Sequence, residues 1–155
     1  MALNIVYRLT GIGWAECTIA DADRTCTVSA SYLSDALRNL VLSAGALLSR
    51  FSAMTFSFDE EPGEYRWVIS SPRLNEIEVQ ILSLDELWGD KPNSEGRLMF
   101  QTICTPETFA GAVHAAAAAV LAEHGEAGYL EKWSEHPFPM AQFEELSRML
   151  ARLQQ

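Results

Sequence analysis

AMTFSFDEEPGEYRWVIS, residues 53–70, is the stretch on which the fold turns. Met54, Phe56 and Phe58 alternate with Thr55, Ser57 and Asp59, and Tyr65, Trp67 and Ile69 alternate with Arg66 and Val68. Successive side chains on a strand point to opposite faces, so a period of two predicts two strands, each with one apolar face. Between them stands Glu61-Pro62-Gly63-Glu64, with proline and glycine at the central positions that suit a type II turn. A two-residue loop then sets Phe58 opposite Trp67 and Phe56 opposite Ile69, all on the apolar side. The same register sets Asp59 opposite Arg66 on the wet side, an exposed ion pair worth about 0.2–1 kcal/mol.

The pattern continues outward from this hairpin. In residues 75–82, Ile77, Val79 and Ile81 alternate with Glu76, Glu78 and Gln80. One buried face and one wet face imply an antiparallel sheet. A long loop, 85–96, carries Trp88 and a KPN turn, and 97–104 reads as another strand. Upstream, 12–20 and 24–30 read as strands joined by a polar turn, with Ala15, Cys17 and Ile19 on one face and Cys26, Val28 and Ala30 on the other strand.

Between the two groups of strands lies a helix over residues 32–50. Leu33, Leu37, Leu40, Ala44, Leu47 and Phe51 recur at spacings of three and four, and Ser31 is its expected N-cap. The last third is helical. Thr105-Pro106 is a start signal, with Thr as cap and Pro where its missing N–H costs nothing. Phe109, Val113, Ala116 and Val120 form the inner stripe, and Gly125 is the expected stop. A short helix over 126–134, a break at HPFP (136–139) and a final helix over 139–153 follow. The expected order is ββαββββααα. Runs of strands apart from runs of helices define an α+β fold: one antiparallel sheet of about five to six strands with helices packed on one face, in a single globular domain over 1–155.

The chain of 155 residues is long enough to bury a core without staples. Its net charge of −10 repels phosphate backbones and anionic lipid, so nucleic-acid and membrane-surface roles are disfavoured. The same charge suits a basic protein partner, or solubility alone. MALNIVYRLTGIGW has no basic segment and no long apolar run, so it does not read as a signal peptide. Residues 109–122 are apolar but too short to span a bilayer. Three cysteines, Cys17, Cys26 and Cys104, with no CxxC, point to reduced thiols in a cytoplasm. Cys17 and Cys26 sit on neighbouring predicted strands, which leaves a disulfide conceivable.

Four acids in six residues, Asp59, Glu60, Glu61 and Glu64, invite a chemical reading. Their spacing is not that of an EF-hand, and no second acidic cluster accompanies them. A carboxylate pair for glycoside chemistry needs a cleft, which a hairpin tip does not offer. His114 and His124 fall on different faces of one helix, and there is no HExxH or Cys/His cluster. No GxSxG and no thiol-enzyme signature occurs. Gly11 and Gly13 lack the third glycine and the βαβ context of a dinucleotide site and read as the beginning of a strand. No catalytic residue, metal or cofactor is therefore assigned. Trp88, in a polar loop, is a candidate interface anchor.

SYLSDALRNL (31–40), EPGEYRW (61–67) and EHPFP (135–139) together resemble a group of small, uncharacterised bacterial cytoplasmic proteins. An acidic α+β domain of this size is also similar to the immunity proteins of bacterial toxin systems. That resemblance implies a cytoplasmic, non-enzymatic domain that neutralises a basic protein. The expected partner-binding residues are Glu60, Glu61, Glu64, Glu76, Glu78 and Trp88. Two other readings stay open: a small-molecule binder or enzyme with a pocket between sheet and helices or at the Trp88 loop, and a structural subunit that self-associates through an exposed strand edge or an apolar helix.

Overall fold

A computed structural model describes residues 2–86 and 90–154. β1 (Asn4–Gly11), β2 (Trp14–Ala20) and β3 (Thr25–Ser31) form one antiparallel sheet in that order. β4 (Ala53–Asp59), β5 (Glu64–Arg73), β6 (Glu76–Leu84) and β7 (Arg97–Cys104) form a second. Helix α1 (Ala36–Leu48) joins the sheets, and α2 (Pro106–Trp133) and α3 (Met140–Arg152) close the chain.

The α+β class and the antiparallel pairing are as expected, but the single sheet of five to six strands is not. There are two sheets, of three and four strands. The extra strand is β1, where Ile5 and Tyr7 are buried and alternate with Val6 and Arg8. The sheets do not join through a backbone ladder. Where β3 ends against β4, the Ser31 hydroxyl donates to the Asp59 carbonyl at 2.9 Å, and the Asp59 N–H donates to Ser34 Oγ at 3.0 Å. Side-chain bonds at this seam stand where a continuous sheet would have main-chain pairs. Ser31 is thus the last residue of β3, and α1 starts later, at Ala36.

The hairpin register also differs. Phe56 lies opposite Trp67, Phe58 opposite Tyr65, Ser57 opposite Arg66 and Asp59 opposite Glu64. The connection is therefore the four residues Glu60, Glu61, Pro62 and Gly63, with a cis Glu61–Pro62 peptide and a Glu60 N–H to Gly63 carbonyl bond of 2.9 Å. The shift from the expected register is two residues, an even number, so every side chain keeps its face. Phe58 and Trp67 are both fully buried.

Thr105 caps α2 as its sequence predicts, its hydroxyl accepting from the Thr108 N–H at 3.1 Å. Gly125 interrupts α2 where the sequence puts its stop: its φ +66° and ψ 173° are not helical, and a second, short helical segment follows to Trp133, as expected. The core draws on both sheets and all three helices, including Tyr7, Ile19, Leu40, Trp67, Tyr129 and Leu146. Trp67 stacks on Phe56 at 5.5 Å and packs against Phe58 at 5.2 Å. Burying each such side chain contributes about 1.5–3 kcal/mol. All three cysteines are buried and free, and Cys17 lies opposite Val28 while Cys26 lies opposite Ile19. No helix among the described residues is long and apolar enough to cross a membrane.

Candidate functional site

The β4–β5 connection is the most acidic point of the fold, and the register decides what it exposes. Glu64 opens β5 and lies opposite Asp59 on one side and Leu84 on the other. Asp85 follows Leu84 directly, so the end of β6 brings a further carboxylate beside the connection. Glu60, Gly63, Glu64, Tyr65, Ser83 and Asp85 line a recess of about 310 Å³ there. A hairpin tip in isolation offers no cleft. This tip has one because the end of β6, at Leu84, and Asp85 after it lie against the connection.

The carboxylates of the recess are not equivalent. Glu64 is neutralised within the protein: Arg66 Nη2 donates to its Oε1 at 2.6 Å, and both side chains are nearly out of solvent. Residues two apart on a strand share a face, which puts this pair together. Arg66 Nη1 also donates to the Lys91 carbonyl at 2.7 Å and to Asn93 Oδ1 at 2.9 Å, pinning the loop before β7 over the sheet. Asp59, the expected partner of Arg66, lies opposite Glu64 instead, two residues along the strand from the Ser57 that faces Arg66.

Glu60 is half-buried beside Tyr65. Burial first, and the Glu60 carboxylate second, push the Tyr65 hydroxyl above its ordinary range, so the phenol stays protonated and donates to Glu60. Glu61 and Asp85 are exposed. Among the described residues, no Lys, Arg or His nitrogen lies within 4.0 Å of Glu60, Glu61 or Asp85. The recess thus has an acidic rim, an aromatic wall at Tyr65 and aliphatic surface at Pro62 and Leu84. That combination fits a lysine or arginine side chain, whose stem packs on apolar surface while its head meets carboxylates.

The other expected binding residues lie elsewhere. Glu78 sits opposite Ser70, about 20 Å along β5 from Glu64 at roughly 3.3 Å per residue, and Glu76 sits opposite Arg73, about 30 Å away. Glu78 accepts from Gln101 Nε2 at 3.0 Å. The strand reversal between β5 and β6 is what separates them from the tip. Trp88 lies outside the described residues. Asp85, Ser83 and Tyr65 were not foreseen as site residues. Asp85 becomes visible only once Glu64 is paired with Leu84.

Two further groupings bear chemistry-capable side chains. His114 Nε2 lies 2.7 Å from Ser147 Oγ, across the contact of α2 with α3. Ser147 donates its own proton to the Phe143 carbonyl at 3.0 Å, so the histidine nitrogen is the donor and does not activate the hydroxyl as a base would. The imidazole stacks on Phe143 at 4.9 Å, as a packing element does. In the core, Tyr7 and Tyr129 approach Asp35, which desolvation holds above its ordinary carboxylate range, against the pull of His136 at 3.7 Å. Both phenols are almost without surface, which leaves them unable to meet a partner protein. Among the described residues no group of three His, Cys, Asp or Glu side chains is placed to hold a metal ion.

Comparison with protein-family models, curated proteins and solved structures finds no match. Function is therefore read from the residues and their geometry.

Proposed function

We propose that this protein is a binding domain that docks a basic segment of a protein partner at the β4–β5 tip, without catalysing a reaction. A neutraliser of a basic toxin, of the immunity type, is its most concrete form. The observation that carries this reading is the recess itself, where Glu60 and Asp85 flank Tyr65 and have no basic partner among the described residues. A guanidinium or ammonium group entering there would find two carboxylates and an aromatic face, a pairing worth about 0.5–2 kcal/mol per cation–π contact before the ion pairs are counted. The net charge of −10 would also steer a basic partner toward the molecule and make association fall with salt.

The test compares wild type with the triple variant E60Q/E61Q/D85N in two assays. Titration with a hexa-arginine peptide at low and at physiological salt should give binding that the variant and the added salt both weaken. Affinity recovery from lysate of the source cell should return a basic protein with wild type that the variant does not retain. Equal peptide binding by the two proteins, or identical recovered proteins, removes the proposal.

A further inference from the structure

The edge of the four-stranded sheet at β4 is open. Asp59 directs its N–H and carbonyl away from β5, to Ser34 and Ser31, whereas the Ser52 carbonyl accepts from Ser71 on the other side. Main-chain groups alternate along an antiparallel strand, so Ala53, Thr55 and Ser57 point theirs the same way as Asp59, out of the sheet. Ala53 and Thr55 are exposed. A strand edge of this kind is a template for pairing unless charge or cover blocks it.

Here neither does. Beside the edge, Leu42 and Ala46 of α1 line a recess of about 260 Å³ with Phe51, Met54 and Phe56, and no lining residue is charged. Phe51 is 61% and Leu42 43% exposed. Met54 and Phe56 lie on the apolar face of the sheet yet are only half-buried, because the sheet runs out at β4. An uncharged apolar face on a chain of net charge −10 is where two copies can approach without repulsion.

We propose that two copies pair antiparallel through β4, with Thr55 opposite Thr55 on the two-fold axis and Ala53 opposite Ser57. Each of these pairs exchanges both main-chain hydrogen bonds. Met54 of one copy then meets Phe56 of the other on the apolar face, and Leu42 and Phe51 flank the seam. The one charge of the strand, Asp59, falls outside the ladder. The same axis sends the two acidic tips in opposite directions. Glu60 is five residues from the axis, so the two glutamates end about 34 Å apart at 3.4 Å per residue, several Debye lengths at physiological salt. The charge that would oppose other dimers is thus kept away from this seam, and both tip recesses stay open.

Light scattering coupled to size exclusion over a range of protein concentrations tests this. Wild type is expected at twice the 17.2 kDa of the chain, dissociating on dilution. T55K and T55E, changed at an exposed side chain, should each keep the wild-type circular dichroism spectrum. Each should raise the dissociation constant several-fold, because like charges meet on the axis. An equimolar mixture of the two should restore the dimer as a heterodimer. T55P, which removes the outward N–H from both copies, should raise the constant about tenfold or more. Wild type that stays monomeric at all concentrations overturns the proposal and leaves the edge to a strand from another protein. A dimer that T55K, T55E and T55P leave unchanged overturns it as well, by placing the contact elsewhere.

Discussion

Asp21 Oδ2 accepts a 2.7 Å hydrogen bond from Thr102 Oγ1, tying the turn between β2 and β3 to β7 across 81 residues of sequence. Its Oδ1 accepts from the Asp23 and Arg24 N–H groups at 2.9 and 2.8 Å. The Thr102 bond first, and the main-chain donors with it, hold the Asp21 pKa below its ordinary 3.8. A carboxylate whose pKa is lower folded than unfolded contributes stability that is present above pH 3.8 and lost as pH falls through the folded value. D21N is therefore expected to cost about 1 kcal/mol at pH 7, the low end for bonds to a charged group because the site is half-exposed. That lowers Tm by about 2–4 °C. Thermal melts of the two proteins should converge as pH drops below 3.8. A gap that persists in acid would assign the loss to something other than this charge.

Gly63 is required by a close approach. A Cβ built there would lie 2.1 Å from the Leu84 carbonyl, a main-chain atom that cannot swing aside. G63A is expected to cost about 1–3 kcal/mol, read as a lower urea midpoint at unchanged m-value. Gly111, inside α2, has nothing within 4 Å of the same position. G111A is expected to gain about 0.5–1 kcal/mol by helix propensity. Opposite signs for two Gly-to-Ala changes separate packing from backbone entropy.

Alternation made most of the second sheet legible in the sequence: β4, β5 and β6 lie where the period of two puts them, with Trp67 and Val79 buried, and β7 fills the strand expected over 97–104. Faces are set by parity, and parity survives a two-residue slip. Partners are not, so Arg66 was matched to the wrong acid. The register goes with a four-residue connection in which Gly63 sits against the Leu84 carbonyl, a contact between strands that no local pattern encodes. The split into two sheets was hidden for a similar reason, since it depends on the Ser31, Ser34 and Asp59 bonds at the seam. Three glutamates of the candidate site were visible as a cluster. Their inequality was not, because it comes from Arg66 reaching along its own strand.

His114 should make the protein sensitive to mild acid. Burial holds its pKa below the ordinary 6.5. Between the folded and unfolded values the unfolded chain binds more protons, so stability is complete above about pH 6.5 and declines as pH falls below it. H114Q keeps a donor for Ser147 without titrating. Urea midpoints measured between pH 7.5 and 5 should fall for wild type and stay flatter for H114Q. Parallel slopes would show that another group carries the acid sensitivity.

The Glu64–Arg66 pair sorts structural carboxylates from presented ones. With both side chains nearly out of solvent, removing one leaves an uncompensated charge. R66Q also frees the Lys91 carbonyl and Asn93, so it is expected to cost about 2–3 kcal/mol. E64Q should cost less, and E64Q/R66Q should cost less than the sum of the two, a coupling that a double-mutant cycle reads directly. D85N, at the exposed rim, and E60Q, half-buried but with an amide oxygen that still accepts from Tyr65, should each stay within about 0.5 kcal/mol of wild type in stability. Binding of the arginine peptide should rank the other way. It should weaken with E60Q and D85N and be held by E64Q, whose charge Arg66 already meets. If E64Q weakens the peptide as much as E60Q does, Glu64 faces the ligand and the division between the inner and outer carboxylates of this recess is wrong.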